Sequence, residues 1–92
     1  MEFIFRFPSG EVAGKARNLE EFREAIDILP IASIEFHHLG RHFRPWLRDL
    51  GHEKLAEEFE KVEESGEELR RKLLSITRRY IRRVKLYGAD FK

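Results

Sequence analysis

The sequence predicts a small α+β domain, with an N-terminal β-hairpin packed on a bundle of four to five helices, the last long and antiparallel to an acidic helix. Three observations predict it. Phenylalanines alternate along the first seven residues, as in a strand with one buried face. After residue 18 the apolar residues recur at spacings of three and four, the period of an amphipathic helix. At 92 residues the chain makes one domain, divided into a hairpin (2–17), a helical part (19–87) and a tail (88–92).

The composition is typical of a protein stabilised by apolar burial and surface charge. Cysteine is absent, which excludes disulfides and thiolate metal sites. Charged residues make up 38% of the chain and glutamine is absent, a bias typical of thermophilic proteins with ion-pair networks. The apolar N-terminal stretch is short and carries Glu2 and Arg6. We therefore expect no signal peptide, no membrane-spanning helix and a cytoplasmic location.

The hairpin prediction rests on alternation and turn residues. Phe3, Phe5 and Phe7 would lie on one face of the first strand. Pro8–Glu11 has proline and glycine where a tight turn requires them, and Val12–Arg17 can return as the second strand. Because two strands alone are barely stable in water, the phenylalanine face must pack on the helices.

Capping residues place the first two helices. Asn18 and Glu21 have the spacing of a capping box that starts a helix over Leu19–Leu29. Pro30 would end that helix, since proline cannot continue the hydrogen-bonded ladder. A second helix is predicted over Ile31–Leu39.

Glycine and proline place the next boundaries. Gly40 would end the second helix in a left-handed cap. Pro45 fits the first position of a short helix through Leu50, which Gly51 would end. These two breaks divide the segment Ser33–Leu50 into separate short helices.

Two oppositely charged helices complete the chain. An acidic helix is predicted over Glu53–Glu64, and Ser65 with Glu68 has the spacing of a second capping box. The last helix would begin at Gly66 and run to Tyr87 along an apolar seam. Opposite charge should hold the two helices together in antiparallel order.

The segment Ser33–Leu50 contains three of the four histidines and the only tryptophan. His38 and His42 are four residues apart, which on a continuous helix would place both rings on one face as a metal pair requires. The break at Gly40 makes them weak metal candidates, and no third ligand is indicated. The alternative is structural: His37 would be buried, with its ring nitrogens bonded to a carbonyl and a hydroxyl such as that of Ser33.

Phe43, Trp46 and Leu47 form an apolar anchor in the same segment. Its default interpretation is core, with the indole N–H of Trp46 bonded to an acceptor. The alternative is an exposed aromatic platform for a sugar ring or a partner protein, with arginines around it. The candidate ligand-binding or partner-binding residues are His37, His38, Arg41, His42, Phe43 and Trp46.

The last helix has a basic face that is the best candidate for nucleic-acid binding. The face consists of Arg71, Lys72, Arg78, Arg79, Arg82 and Lys85. The acidic helix before it should neutralise much of this charge, and no recognition motif accompanies it. We therefore do not expect nucleic acid as the principal partner.

Enzyme signatures are missing from the sequence. There is no glycine-rich phosphate loop followed by Lys-Ser/Thr, and no nucleophile elbow. We assign no catalytic residue and no cofactor. The favoured function is a noncatalytic binding or interaction module, and the oligomeric state stays open. The alternatives are a metal-dependent or acid/base activity centred on the histidines, and nucleic-acid binding through the basic helix.

The chain from Phe3 to about Leu73 resembles a family of small prokaryotic, largely archaeal domains of unknown function. The resemblance is carried by Leu-x-x-Phe, Ser-x-x-x-His, an aromatic residue before Trp-Leu, and Leu-Ala, which here are Leu19 and Phe22, Ser33 and His37, Phe43 with Trp46 and Leu47, and Leu55 and Ala56. Arg44 and Pro45 stand where the family pattern has a small capping residue. Such domains occur alone or attached to glycosyltransferase-like and other carbohydrate-active enzymes, so the resemblance implies an accessory role and no known mechanism.

Overall fold

The computed structural model describes residues 1–88, so all of the expected tail except Gly88 lies outside the described residues. It contains an antiparallel hairpin followed by five helices, as the sequence predicts. The elements are β1 (Phe3–Arg6), β2 (Val12–Ala16), α1 (Leu19–Ile28), α2 (Ile31–Leu39), α3 (Phe43–Asp49), α4 (Glu53–Glu60) and α5 (Gly66–Tyr87). The α+β class and the long last helix are confirmed.

The hairpin turns its phenylalanines towards the helices. Phe3 lies opposite Ala16 and Phe5 opposite Gly14, with an irregularity between Phe5 and Arg6. Phe3 and Phe5 are buried, as alternation in a two-stranded sheet with one covered face requires. The paired positions in β2 are small, which leaves room for the helices to approach the sheet.

An aromatic cluster forms the centre of the core. It consists of Phe3, Phe22, Phe43 and Trp46, and the centroids of the rings that contact one another are 5.2 to 6.3 Å apart. Trp46 is only 5% exposed, and its indole N–H donates to the Met1 carbonyl at 3.2 Å. The core interpretation of Trp46 is confirmed, and the exposed-platform interpretation is wrong because neither face of the ring is open to a ligand.

Two side chains of α2 bind the backbone of β1 and so dock the hairpin on the helices. The Ser33 hydroxyl donates to the Arg6 carbonyl at 2.9 Å, and the Arg6 N–H donates to Nε2 of His37 at 2.7 Å. Ser33 and His37 are one helical turn apart on the same face of α2. They bind the backbone N–H and the carbonyl of Arg6, which would otherwise be shielded from water without a hydrogen-bond partner.

The helix α5 runs antiparallel to α4. Nδ1 of His52, just before α4, lies 2.8 Å from the Tyr80 hydroxyl, whereas Glu64, beyond the end of α4, is paired with Lys72. The predicted antiparallel arrangement of the two helices is therefore confirmed.

Arg70 of α5 binds the free carbonyls at the end of α1. Nη1 of Arg70 donates to the carbonyls of Ile26 and Asp27 at 2.8 and 3.0 Å. The last turn of α1 contains no basic residue of its own, so Arg70 supplies the charge and the hydrogen bonds that free helix carbonyls need.

The structure confirms the Asn18 cap but neither capping box in full. The amide of Glu21 donates to the Asn18 side chain at 2.9 Å, whereas the Glu21 carboxylate accepts from the amide of Arg17 at 2.8 Å rather than from that of Asn18. Ser65 makes no side-chain cap, so the second box is wrong. The amide of Gly66 instead donates to the carboxylate of Glu35 on α2 at 2.6 Å, because a charged acceptor from a packed neighbour replaces the local hydroxyl.

Three helix details also differ from the prediction. The acidic helix α4 ends at Glu60 rather than Glu64, and α3 begins at Phe43, so Pro45 is its third residue rather than its first. Proline is tolerated there because the first-turn amides have no intrahelical partner. Tyr87, placed on the apolar seam of α5, is 70% exposed, since α5 extends beyond the elements that cover its start.

Among the helices in residues 1–88, none combines the length and apolar character that crossing a bilayer requires.

The buried position of Trp46 predicts a large cost for its removal. Trp46→Ala should lower the free energy of unfolding by about 3 to 5 kcal/mol, through lost apolar contact and the cavity left behind. Leu39→Ala is the matched control, because Leu39 is 81% exposed and its truncation should change stability little. Chemical denaturation measures both, and a Trp46→Ala variant as stable as the wild type would contradict the core assignment.

Candidate functional site

The end of α2 is a Schellman motif with an arginine in its left-handed position. The amide of His42 donates to the His37 carbonyl at 3.0 Å, and that of Arg41 to the His38 carbonyl at 3.1 Å. Arg41 has a φ of 57°, where glycine is the usual residue because a Cβ is strained there. Within residues 1–88 it is the only non-glycine residue with positive φ.

Gly40 does not adopt the predicted left-handed conformation. Its φ is −80°, and the prediction that it forms the left-handed cap is wrong. A Cβ at Gly40 would clash with Nε2 of His42. Gly40 is therefore required by the close approach of the imidazole ring, and the left-handed conformation falls on the next residue.

The end of α3 repeats the motif and provides an internal comparison. The amide of His52 donates to the Leu47 carbonyl at 2.8 Å, and that of Gly51 to the Arg48 carbonyl at 2.9 Å. Gly51 has a φ of 89° and no atom within 4 Å of a Cβ built on it. The left-handed residue is thus a glycine in one motif and an arginine in the other. Because a glycine is enough to end a helix in this way, we infer that the strained Arg41 has a further role.

Arg41 lies at the rim of a groove of about 360 Å³ between the end of α2, α3 and α4. The floor is apolar and consists of Phe43, Ala56 and Phe59. Leu39 lies on the rim with 81% of its surface exposed. An apolar floor bounded by a few polar groups is the usual composition of a ligand site.

Charged side chains cross and flank this groove. Nη1 of Arg44 donates to both carboxylate oxygens of Glu60 at 2.9 and 3.0 Å, which links α3 to α4. The Nε of Arg44 is buried and has no hydrogen-bond partner in residues 1–88. Arg41 and Glu63 also line the groove, and neither has an ion pair with any residue from 1 to 88. Two side chains of opposite charge are therefore available to a ligand.

His38 closes one end of the groove. Its Nε2 lies 2.8 Å from the Val62 carbonyl. Because a carbonyl can only accept, Nε2 carries a proton and donates. His38 thereby fixes the connection between α4 and α5 to the end of α2.

His37 is buried and both of its ring nitrogens are in use. Nε2 accepts from the Arg6 amide at 2.7 Å, so the proton of the neutral ring is on Nδ1. Nδ1 lies 3.0 Å from Nδ1 of His42 and donates to it, which places the proton of neutral His42 on its Nε2. Burial, together with the charges of His42 and Arg6, lowers the pKa of His37 to about 4. The expected partners of His37 were a carbonyl and a hydroxyl such as that of Ser33, and this prediction is wrong. The partners are the amide of Arg6 and Nδ1 of His42, and the Ser33 hydroxyl donates instead to the carbonyl of Arg6.

The six candidate binding residues divide between three places. His38, Arg41 and Phe43 line the groove. His37 and His42 form the hydrogen-bonded pair behind it, and Trp46 is in the core. His38 and His42 make separate contacts, with Val62 and with His37. Within residues 1–88 no three histidine or carboxylate side chains are grouped so that they could hold a metal ion.

The basic face of α5 is neutralised in part. Arg71, Lys72, Arg78 and Lys85 each have a carboxylate within 4.0 Å. None of these four carboxylates belongs to α4: two are on α1, Glu68 is on α5 itself and Glu64 follows the end of α4. Among the described residues no carboxylate lies that close to Arg79 or Arg82.

Sequence reasoning missed most of the groove. Leu39, Phe59, Glu60 and Glu63 are predicted only as members of two separate helices, because their meeting in one groove depends on how α4 packs against α2. One sequence signal was available, because Arg41 and Gly51 each lie between the end of a predicted helix and a histidine. This parallel indicates that Arg41 occupies the left-handed position that Gly51 occupies after α3.

The lowered pKa of His37 predicts a stability that falls in acid. Above about pH 6.5 the residue is neutral in both states, so its full contribution is present. Between that pH and about 4 the unfolded chain takes up a proton that the folded chain does not, which should cost roughly 3 kcal/mol by pH 4. Burial also lowers the pKa of His52, which acts in the same direction. Chemical denaturation across this range measures the loss.

The matched variant is His37→Gln, whose side-chain oxygen can accept the Arg6 amide and cannot titrate. It should be less stable than the wild type at neutral pH and should show a shallower dependence on pH. A variant with the same slope as the wild type would show that His37 is not the titrating group.

Comparison of the chain with protein families, with curated proteins and with solved structures finds no match in any of the three.

Proposed function

We propose that this protein is a noncatalytic interaction module that binds a polypeptide segment in the groove between α2 and α4. The observation that carries the proposal is Arg41, an arginine with no ion pair among residues 1–88 that is held in a left-handed conformation at the rim of an apolar groove. Strained residues persist where the surrounding structure holds them in place, and they concentrate at functional sites.

The groove favours a peptide that presents an apolar side chain beside a carboxylate. The apolar side chain would cover Leu39, which is 81% exposed, and so remove its apolar surface from water. The carboxylate would accept from the guanidinium of Arg41, whose planar donors suit a bidentate contact. Glu63 on the opposite rim would repel a second acid and favour a basic or amide group there.

A sugar ligand has less support in this site. Sugar rings stack on exposed aromatic faces, whereas Phe43, Trp46 and Phe59 are each 5% exposed or less. The carbohydrate-enzyme context rests on the resemblance alone and stays a prediction. A protein partner that is attached to a carbohydrate-active enzyme would be compatible with both the groove and the resemblance.

The metal-dependent or acid/base alternative would use the histidines differently. His37 could bind a metal ion or take up a proton only by releasing the Arg6 amide or His42. That release would undock β1 from α2, so chemistry at His37 would compete with the fold. This cost favours the structural role for His37 and leaves the groove as the better site.

The conformational strain at Arg41 predicts a variant that separates binding from folding. Arg41→Gly should keep or raise the free energy of unfolding, by up to about 1 kcal/mol, because glycine removes the left-handed penalty. Its control is Gly51→Arg, which introduces the same strain in the other motif and should cost about 1 to 2 kcal/mol. Chemical denaturation of both variants and the wild type checks the strain.

Peptide binding is then tested by selecting a displayed random-peptide library on the wild type and on Arg41→Gly. Peptides with an acidic residue next to an apolar one should be enriched on the wild type alone. Amide shifts on titration with a selected peptide should concentrate at Leu39, Arg41, Phe59 and Val62. Enrichment that is equal on both proteins, or shifts located elsewhere, would contradict the proposal.

A further inference from the structure

A second surface, formed by α4 and α5, remains outside the groove. Between these helices is a cleft of about 190 Å³ whose lining includes Lys54, Lys61, Arg79 and Arg83. Arg82 lies next to them on α5. We call these five residues the α4–α5 cationic surface.

None of the five cations has a carboxylate within ion-pair distance among residues 1–88. This distinguishes them from Arg71, Lys72, Arg78 and Lys85, which are paired. From Ser75 to Gly88 the helix carries no acidic residue at all. Glu57 and Glu58 line the cleft, but two carboxylates against five cations leave a positive excess.

The sequence predicts that the acidic helix neutralises much of the basic face. The ion pairs within residues 1–88 neutralise Arg71, Lys72, Arg78 and Lys85 and leave Arg79, Arg82 and Arg83 without a carboxylate in range. Lys54 on α4 and Lys61 just beyond its end line the same cleft as Arg79 and Arg83, so they add to the positive charge there.

An exposed aromatic residue continues the arginine row. Arg79, Arg83 and Tyr87 are spaced by four residues, so they follow one another along one side of α5, about 6 Å apart along the axis. Tyr87 is 70% exposed. Cations that contact phosphates together with an aromatic ring that stacks on bases are the combination by which proteins bind single strands without sequence preference.

We propose that the α4–α5 cationic surface binds single-stranded nucleic acid, with Arg79, Arg82 and Arg83 on the phosphodiester backbone and Tyr87 stacked on a base. Free phosphate would use the cations and gain nothing from Tyr87. A duplex would hide its bases from the ring. This second surface does not depend on the peptide groove.

Charge-matched variants test the proposal in the full chain. The probe is a fluorescent mixed-sequence RNA oligonucleotide, titrated by anisotropy at low salt. Arg79→Gln with Arg83→Gln should weaken binding roughly tenfold or more, since two phosphate contacts are lost. Arg71→Gln with Lys72→Gln changes the net charge equally at paired positions and should weaken it less than about twofold. Glu57→Gln with Glu58→Gln should tighten it.

Tyr87→Ala separates stacking from charge. It should weaken binding by roughly tenfold, as for other base-stacking residues, while the slope of affinity against salt stays that of the wild type. Circular dichroism checks that each variant is folded. No binding at low salt, equal weakening by both arginine and control pairs, or a Tyr87→Ala variant that binds like the wild type would overturn the proposal. Binding to phosphatidylserine vesicles that RNA does not displace would also overturn the proposal.

Discussion

The two hydrogen bonds that join Arg6 of β1 to Ser33 and His37 of α2 are the interaction on which the rest of the structure depends. A two-stranded hairpin is barely stable by itself, and this contact holds Phe3 in the aromatic cluster and Phe5 beside it. It requires a neutral His37 with its proton on Nδ1, which in turn orients the ring of His42. That ring leaves no room for a side chain at Gly40, the residue directly before the left-handed Arg41. The fold and the candidate site are thus connected through one histidine.

This chain of contacts explains why a region rich in histidine has little free imidazole. His37 bonds to the strand and to His42, and His38 bonds to the Val62 carbonyl. Burial lowers the pKa of His37 and so keeps it in the neutral form that the docking contact needs. The histidines therefore shape the site, while the arginines next to them supply its accessible charge. The cations of α5 divide in the same way. Within residues 1–88, ion pairs neutralise one set of them and leave another set without a carboxylate partner.

Much of the fold could be predicted from the sequence, because its signals are local. Alternating phenylalanines, the Asn18 cap, Pro30 and the long apolar seam gave the hairpin and the helices with few boundary errors. The sequence could not give contacts that depend on packing. Glu35 replaces the expected cap at Ser65, Arg70 caps a distant helix, and the His42 ring lies where a side chain at Gly40 would be. The groove was missed for the same reason, since α4 supplies most of it.

The role of His37 as the neutral link between β1 and α2 is tested most directly by its tautomer. Long-range proton–nitrogen NMR of the imidazole groups at neutral pH distinguishes a protonated from an unprotonated ring nitrogen. The structure predicts that His37 has a protonated Nδ1 and an unprotonated Nε2, and that this pattern persists as the pH is lowered through 6.5. A His37 that carries its proton on Nε2, or that titrates at its ordinary pKa, would contradict the docking contact and the site built on it.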